Sequence, residues 1–298
     1  MVTAPADVAV VLAPSQWRAR EAAHHARVDA LLAAHLERAR RGEKHPVEDF
    51  LFTYYSYRPA QLRRWHPGVG VVLAGAAERA GWGDHIAVGL DDGERGVTVD
   101  VRGFRERRGE ALAHVRELLA ATASRPAQLG CFGLHEWAMV YRQAPDDVRH
   151  AAWPLRLGAA GTDAVVEAHR IRCSHFDAYR FFTAAAAPRN TVRPTRADTV
   201  ALEQPGCLHA TMDLYKWAYK LSPAVPSGLV VDAFALARDV RELDMRASPY
   251  DLTALGYAPV RIETTEGKAE YVAAQRAFAE HGGALRERLL AVIDGLAR

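Results

Sequence analysis

The apolar positions of the chain recur mostly with helical spacing, and one stretch breaks that rhythm. From Ser15 to Arg41, Val28, Leu31, Leu32 and Leu36 form one stripe, with Ser15 as the expected N-cap and Arg38 to Gly42 as a basic stop. In HPVEDFLFTYYSYRP, Pro46 suits a first helical turn, and Glu48 and Asp49 suit the positive end of a helix. Its aromatics from Phe50 to Tyr57 predict core or a pocket wall. Residues 59 to 66 read as a short helix closed by HPGVG. Then His85 to Asp92 and Val97 to Val101 predict two strands around DDGERG, a hairpin signal. Helical spacing resumes from Gly103 to Ala123, and again from Leu134 in GCFGLHEWAMVYR.

Farther along, AWPLRLG and TDAVVEAHRIRC predict extended segments joined by a turn. Side chains alternate in a strand, so Glu167, His169 and Ile171 would share one face and Arg170 and Arg172 the other. SHFDAYRFF predicts a helix with Ser174 as N-cap and Asp177 three residues on. Ser227 to Arg246 predicts a long helix whose Asp239 and Glu242 pair with Arg238, Arg241 and Arg246. Two helices are expected from Glu266 to Arg298, interrupted at HGG, residues 281 to 283. The sum is a mainly α protein with a small β-hairpin portion, α+β being the alternative, in a single domain over residues 1 to 298.

The stretch QPGCLHATMDLYKWAYKLSP is bounded by Pro205–Gly206 and Pro223, which leaves three to four helical turns beginning near Leu208. His209, Asp213, Lys216 and Lys220 then fall at i, i+4, i+7 and i+11 on one face. The chain writes its positive charge as thirty-four arginines and four lysines, and two of those lysines stand here. A solvated face with an Asp213–Lys216 pair is the plain reading of that pattern. The functional reading gains weight because histidines with nearby carboxylates recur elsewhere in apolar settings.

At 298 residues, 49% hydrophobic and 25% charged, the chain has the composition of a globular protein. Its apolar runs are shorter than a membrane span and no secretory pattern opens the sequence, so the expected location is the cytoplasm. A net charge of +2 does not indicate a nucleic-acid binder. Cys131, Cys173 and Cys207 lack CxxC spacing and are odd in number, which argues against a disulfide framework. GxSxG, GxGxxG and GxxxxGK[ST] are absent, so neither a serine hydrolase nor a nucleotide cofactor is implied.

Four histidines have a carboxylate within four residues: His135 with Glu136, His169 with Glu167, His175 with Asp177 and His209 with Asp213. Two or three histidines and a carboxylate suffice for a mononuclear iron or zinc site, and a dinuclear iron site uses several of each. HExxH is absent, and hydrogen-bonded core histidines remain the plain alternative. The expectation is a metal-dependent enzyme, with non-haem iron preferred to zinc, oxidising a small anionic molecule. His135, His169, His175 and His209 with Asp213 or Asp177 would supply ligands and catalytic groups. Lys216, Lys220 and Arg172 would hold negative groups, and Tyr215 and Trp217 would wall the pocket. A non-catalytic ligand- or metal-binding protein is a further alternative.

HPVEDFLFTYYSYRPAQLRRWHPGVG, GCFGLHEWAMVYR, IRCSHFDAYRFF, QPGCLHATMDLYKWAYKLSP and RELDMRASPYDLTALGY resemble a family from high-GC bacteria labelled 3-methyladenine DNA glycosylase, over about Trp17 to Ala279. That resemblance implies a DNA partner and excision of alkylated bases. HPGVG followed by VTVDVRGFR also resembles the hairpin and catalytic acid of helix-hairpin-helix glycosylases, which makes Asp100 the implied acid.

Overall fold

Helix accounts for 57% of the chain and strand for 8%, with eleven α-helices and one four-stranded sheet among the described residues, 10–91, 93–144 and 152–297 of a computed structural model. The protein is mainly α with a small β portion, as its periodicity predicts. Two compact units are formed. The first comprises residues up to Arg116 together with Leu214–Ala235 and Leu285–Arg298, and the second comprises Glu117–Asp213 and Leu236–Ala284.

The first unit holds the sheet, in the order β1 (Val10–Leu12), β2 (Val71–Ala74), β4 (Arg95–Val99), β3 (His85–Gly89). The predicted hairpin is β3–β4, antiparallel with His85 opposite Val99 and Gly89 opposite Arg95. The strands β1 and β2 pair in parallel; as apolar runs of three and four residues they are too short to declare a period. Helix α1 (Pro14–Arg40) packs on β2 and on α3 (Pro59–Arg63), while Phe52 of α2 (Phe50–Tyr54) meets Phe234. Leu12, Trp17, Trp65, Leu73, Ala76 and Val97 make one buried cluster. The buried Arg79 guanidinium sits 4.5 Å from the Trp17 ring and 4.8 Å from the Trp82 ring, with Glu21 at 2.6 Å as its counter-ion. Ser15 is not the cap of α1. Pro14 occupies the first turn, Ala13 is the N-cap, and Gln16 Oε1 accepts the Ala13 N–H at 3.0 Å.

Four helices, α4 (Val101–Ala123), α9 (Leu208–Lys220), α10 (Ser227–Arg246) and α11 (Thr265–Ala297), contribute residues to both units. The second unit also contains α5 (Leu134–Ala138), α6 (Gly158–Ala168), α7 (Phe176–Tyr179) and α8 (Thr199–Leu202). Three expectations are corrected here. Residues 158 to 168 are helical rather than extended, because Thr162, Val165 and Val166 lie at i, i+3 and i+4 and bury one face, which outweighs the strand preference of two adjacent valines. The cap of α7 is His175, not Ser174, and no side chain bonds the helix start. Finally, α11 runs unbroken through Gly282 and Gly283. Burial of Tyr271 and Gln275 before them and of Leu285 and Leu289 after them offsets the roughly 1 kcal/mol that each helical glycine costs.

Candidate metal centre

Helix α9 carries His209 and Asp213 one turn apart, and α5, α10, the start of α7 and the end of α8 bring the other groups to them within the second unit. His135 enters from the first turn of α5, whose start is forced by a turn in which Phe132 (φ 47°) and Gly133 (φ 67°) are both left-handed. A left-handed phenylalanine is strained, and that strain falls three residues before a candidate ligand. Asn190 fixes the segment leading to His175: its Oδ1 accepts the Cys173 N–H at 2.7 Å and its Nδ2 donates to the Cys173 and Val192 carbonyls at 2.9 and 2.7 Å. Gly206 is required beside Gln128, since a Cβ there would stand 2.6 Å from the Gln128 carbonyl oxygen.

Two groups of potential ligands result, His135–His209–Asp244 and His175–Glu203–Asp213, each with its ligand atoms within 4.8 Å of one another. They adjoin through His209, whose ring centroid is 4.5 Å from that of His135 and 5.1 Å from that of His175. His135 Nε2 and Asp244 Oδ1 are buried and ion-paired, 3.0 Å apart. The other oxygen of Asp244 is taken, accepting from Arg241 Nη1 at 3.0 Å, and the same nitrogen donates to Glu136 Oε1 at 2.9 Å. On the other side His175 Nδ1 meets Glu203 Oε1 at 3.0 Å, while its Nε2 lies 4.0 Å from Asp213 Oδ2. A carboxylate holding one ring nitrogen while the other faces the centre is how metal-ligating histidines are oriented.

Charge supports the same reading. Glu136, Glu203, Asp213 and Asp244 are all at most 5% exposed, and the buried Arg241 bridges Glu136 and Asp244. Burial alone would lower the His135 pKa, but Asp244 and then Glu136 outweigh it and raise it. Burial opposes ionisation of Asp244, yet His135 beside it holds the carboxyl well below its usual range. His209 is driven well below 6.5 by burial and by the two flanking imidazoles, so it is a neutral donor. The three cysteines line the same space, and burial raises all three thiols, Cys173 to about 12.

Two of the donors, His135 and His209, line a small cavity of ≈ 20 Å³ together with the three cysteines, with room for about one water molecule. A second, larger pocket of ≈ 390 Å³ is lined by Phe132, His169, Arg170 and Arg172. Cys131, Arg172 and Gln204 line both.

Of the residues singled out from the sequence, His135, His175, His209 and Asp213 come together and Arg172 borders the site. His169 lies outside both groups: it caps α6, its Nδ1 meets the Val165 carbonyl at 2.6 Å, and it lines the larger pocket. Glu167 accepts from Tyr141 and Arg142, at 2.8 Å each. Asp177 pairs with Arg180 at 3.1 Å in the first turn of α7. The remaining residues belong to the first unit: Tyr215 packs edge-on against Tyr55 and Phe234, Lys216 Nζ sits 4.5 Å from the Trp217 ring, and Lys220 borders a different cleft. Asp100 accepts the Gly103 N–H at 3.0 Å at the start of α4, and HPGVG leads into strand β2. Glu203 and Asp244 went unnoticed in the sequence. Glu203 lies in a loop without a pattern, and Asp244 is one of seven charged residues in α10, so the sequence alone does not single it out.

Protein-family profiles, curated proteins and solved structures yield no match to the chain.

Proposed function

We propose that the chain is a metal-dependent enzyme, with non-haem iron preferred to zinc, that oxidises a small anionic molecule. The carrying observation is the convergence of His135, His209 and Asp244, whose ligand atoms lie within 4.8 Å of one another, with His135 Nε2 and Asp244 Oδ1 buried 3.0 Å apart. Two histidines and a carboxylate on one face match the donor set of non-haem iron(II) oxygenases. The adjoining His175–Glu203–Asp213 group supplies donors for a second ion. When bound, iron supplies one-electron chemistry at an open coordination position, whereas zinc would supply an activated water.

In this reading Arg241 orients a ligand through the second oxygen of Asp244, and Glu203 meets His175 Nδ1 within the second group. Arg170 and Arg172 hold the substrate's negative group in the ≈ 390 Å³ pocket, a volume within the roughly 300–1,000 Å³ of small-molecule sites. His169 Nε2, buried and without a hydrogen bond in that pocket wall, accepts a hydrogen bond from the substrate. Excision of alkylated bases is the second reading, and its implied acid Asp100 serves as a helix cap.

Untagged protein reconstituted anaerobically with Fe(II), then desalted, tests the proposal by elemental analysis. One or two metal ions per chain are expected, falling below a tenth of that in His135→Ala and Asp244→Ala. Oxygen uptake with small carboxylates and phosphates then separates an enzyme from a binding protein. Folded protein that takes up neither iron nor zinc overturns the reading, and release of alkylated bases by metal-free protein favours the second.

A further inference from the structure

The first unit has a cleft of its own, of ≈ 380 Å³, that no role described so far uses. Three cations border it, Arg64, Arg108 and Lys220. Arg108 Nη1 donates to the Lys220 carbonyl at 2.8 Å, which sets that guanidinium beside the last residue of α9. Arg64 lies over the Trp82 ring at 5.3 Å. Asp84, the one acid in the lining, is already held by Arg107, with Nη2 at 2.6 Å and Nε at 3.2 Å, so the cleft keeps an excess of positive charge.

Its walls are aromatic. Tyr57 and Tyr219 stack on each other at 4.7 Å and 17°, and Trp82 and His85 meet edge-on at 5.8 Å. His66 lines the cleft with its side chain buried and its Nδ1 without a hydrogen bond. The imidazole is positioned, not incidental: the buried Ser227 hydroxyl accepts from the His66 N–H at 3.2 Å and donates to its carbonyl at 2.9 Å. An orphaned ring nitrogen on a fixed backbone is a donor or acceptor held ready for a ligand.

We propose that this cleft binds a mononucleotide, its phosphate held by Arg64, Arg108 and Lys220 and its base lying against the Tyr57–Tyr219 pair and bonded to His66 Nδ1. Three cations suit a phosphate dianion better than a single carboxylate, and guanidinium groups match phosphate oxygens geometrically. Flat aromatic walls suit a base, which stacks on tyrosine by its π-face. The volume fits one nucleotide unit rather than a strand, and the net charge of +2 is far from that of a nucleic-acid binder.

The test is calorimetric and tryptophan-fluorescence titration of the full chain with AMP, UMP, ribose 5-phosphate, inorganic phosphate and a ten-residue oligothymidylate. AMP or UMP should bind at least tenfold more tightly than ribose 5-phosphate, which lacks the base, and still more tightly than phosphate. Lys220→Ala and Arg64→Ala, both at exposed positions, should each weaken nucleotide binding at least tenfold, whereas Arg172→Ala should not change it. The proposal is overturned by no binding at millimolar nucleotide, by equal binding of ribose 5-phosphate, by binding of the oligonucleotide alone, or by dependence on Arg172 instead of Lys220 and Arg64. None of these outcomes bears on metal content, so this site and the candidate metal centre stand or fall separately.

Discussion

Replacing Asp244 with asparagine preserves shape while removing one of the two carboxylates that face Arg241 and the one beside His135. All three side chains are at most 6% exposed, so solvent does little to screen the change. Breaking a buried ion pair costs roughly 3–5 kcal/mol, and the remaining Glu136–Arg241 pair reduces that to about 2–3 kcal/mol for the metal-free protein. At about 2–4 °C per kcal/mol, the melting temperature in EDTA should fall by roughly 4–12 °C. A bound ion adds a second effect: wild-type protein at a metal concentration 100 times Kd should gain about 2.7 kcal/mol, and the variant, short of one ligand, should gain little. Differential scanning calorimetry of both proteins with EDTA and with anaerobic Fe(II) reads the two effects separately. A variant that melts with the wild type in EDTA refutes the buried network, and one with a full metal-induced shift refutes Asp244 as a ligand.

Acid lability should trace in part to His66, whose pKa burial lowers from 6.5 to about 3. Above pH 6.5 the folded and unfolded chains are both neutral at this residue; below it the unfolded chain takes up a proton that the folded chain refuses, so stability falls with pH by up to roughly 4–5 kcal/mol near pH 3. Urea denaturation at pH 7, 5 and 4 should show a flatter pH dependence for His66→Gln, and an unchanged slope would contradict this origin. Asn190→Ala removes three hydrogen bonds, two to Cys173 ahead of His175 and one to Val192, and should cost about 2–4 kcal/mol together with part of the metal affinity. Thermal melts and elemental analysis check it, and unaltered values in both would show that the segment holds itself.

The architecture was readable wherever a long element repeats its period. Helix α9 follows from its breakers and stripes, and the β3–β4 hairpin from the turn residues between its strands. Residues 158 to 168 were misread because two adjacent valines suggest a strand locally, while the burial of Thr162, Val165 and Val166 that decides the matter is tertiary. At the candidate site, the residues with helical spacing and nearby carboxylates, His135, His175, His209 and Asp213, were visible in the sequence. Glu203 and Asp244 were not, since their partners stand 28 and 109 positions away, and only folding makes them neighbours.

Because His209 belongs to one ligand group and Asp213 to the other, both groups depend on the phase of a single helix. Each residue advances an α-helix by about 100°. Inserting or deleting one residue between Leu208 and His209 would swing both donors off the centre together, and a change between them would separate them by the same angle. Substitutions elsewhere on α9 leave that phase untouched. Lineages of this chain should therefore vary in the composition of α9 while its length from His209 to Asp213 stays fixed, and length changes should collect in the loops on either side of it.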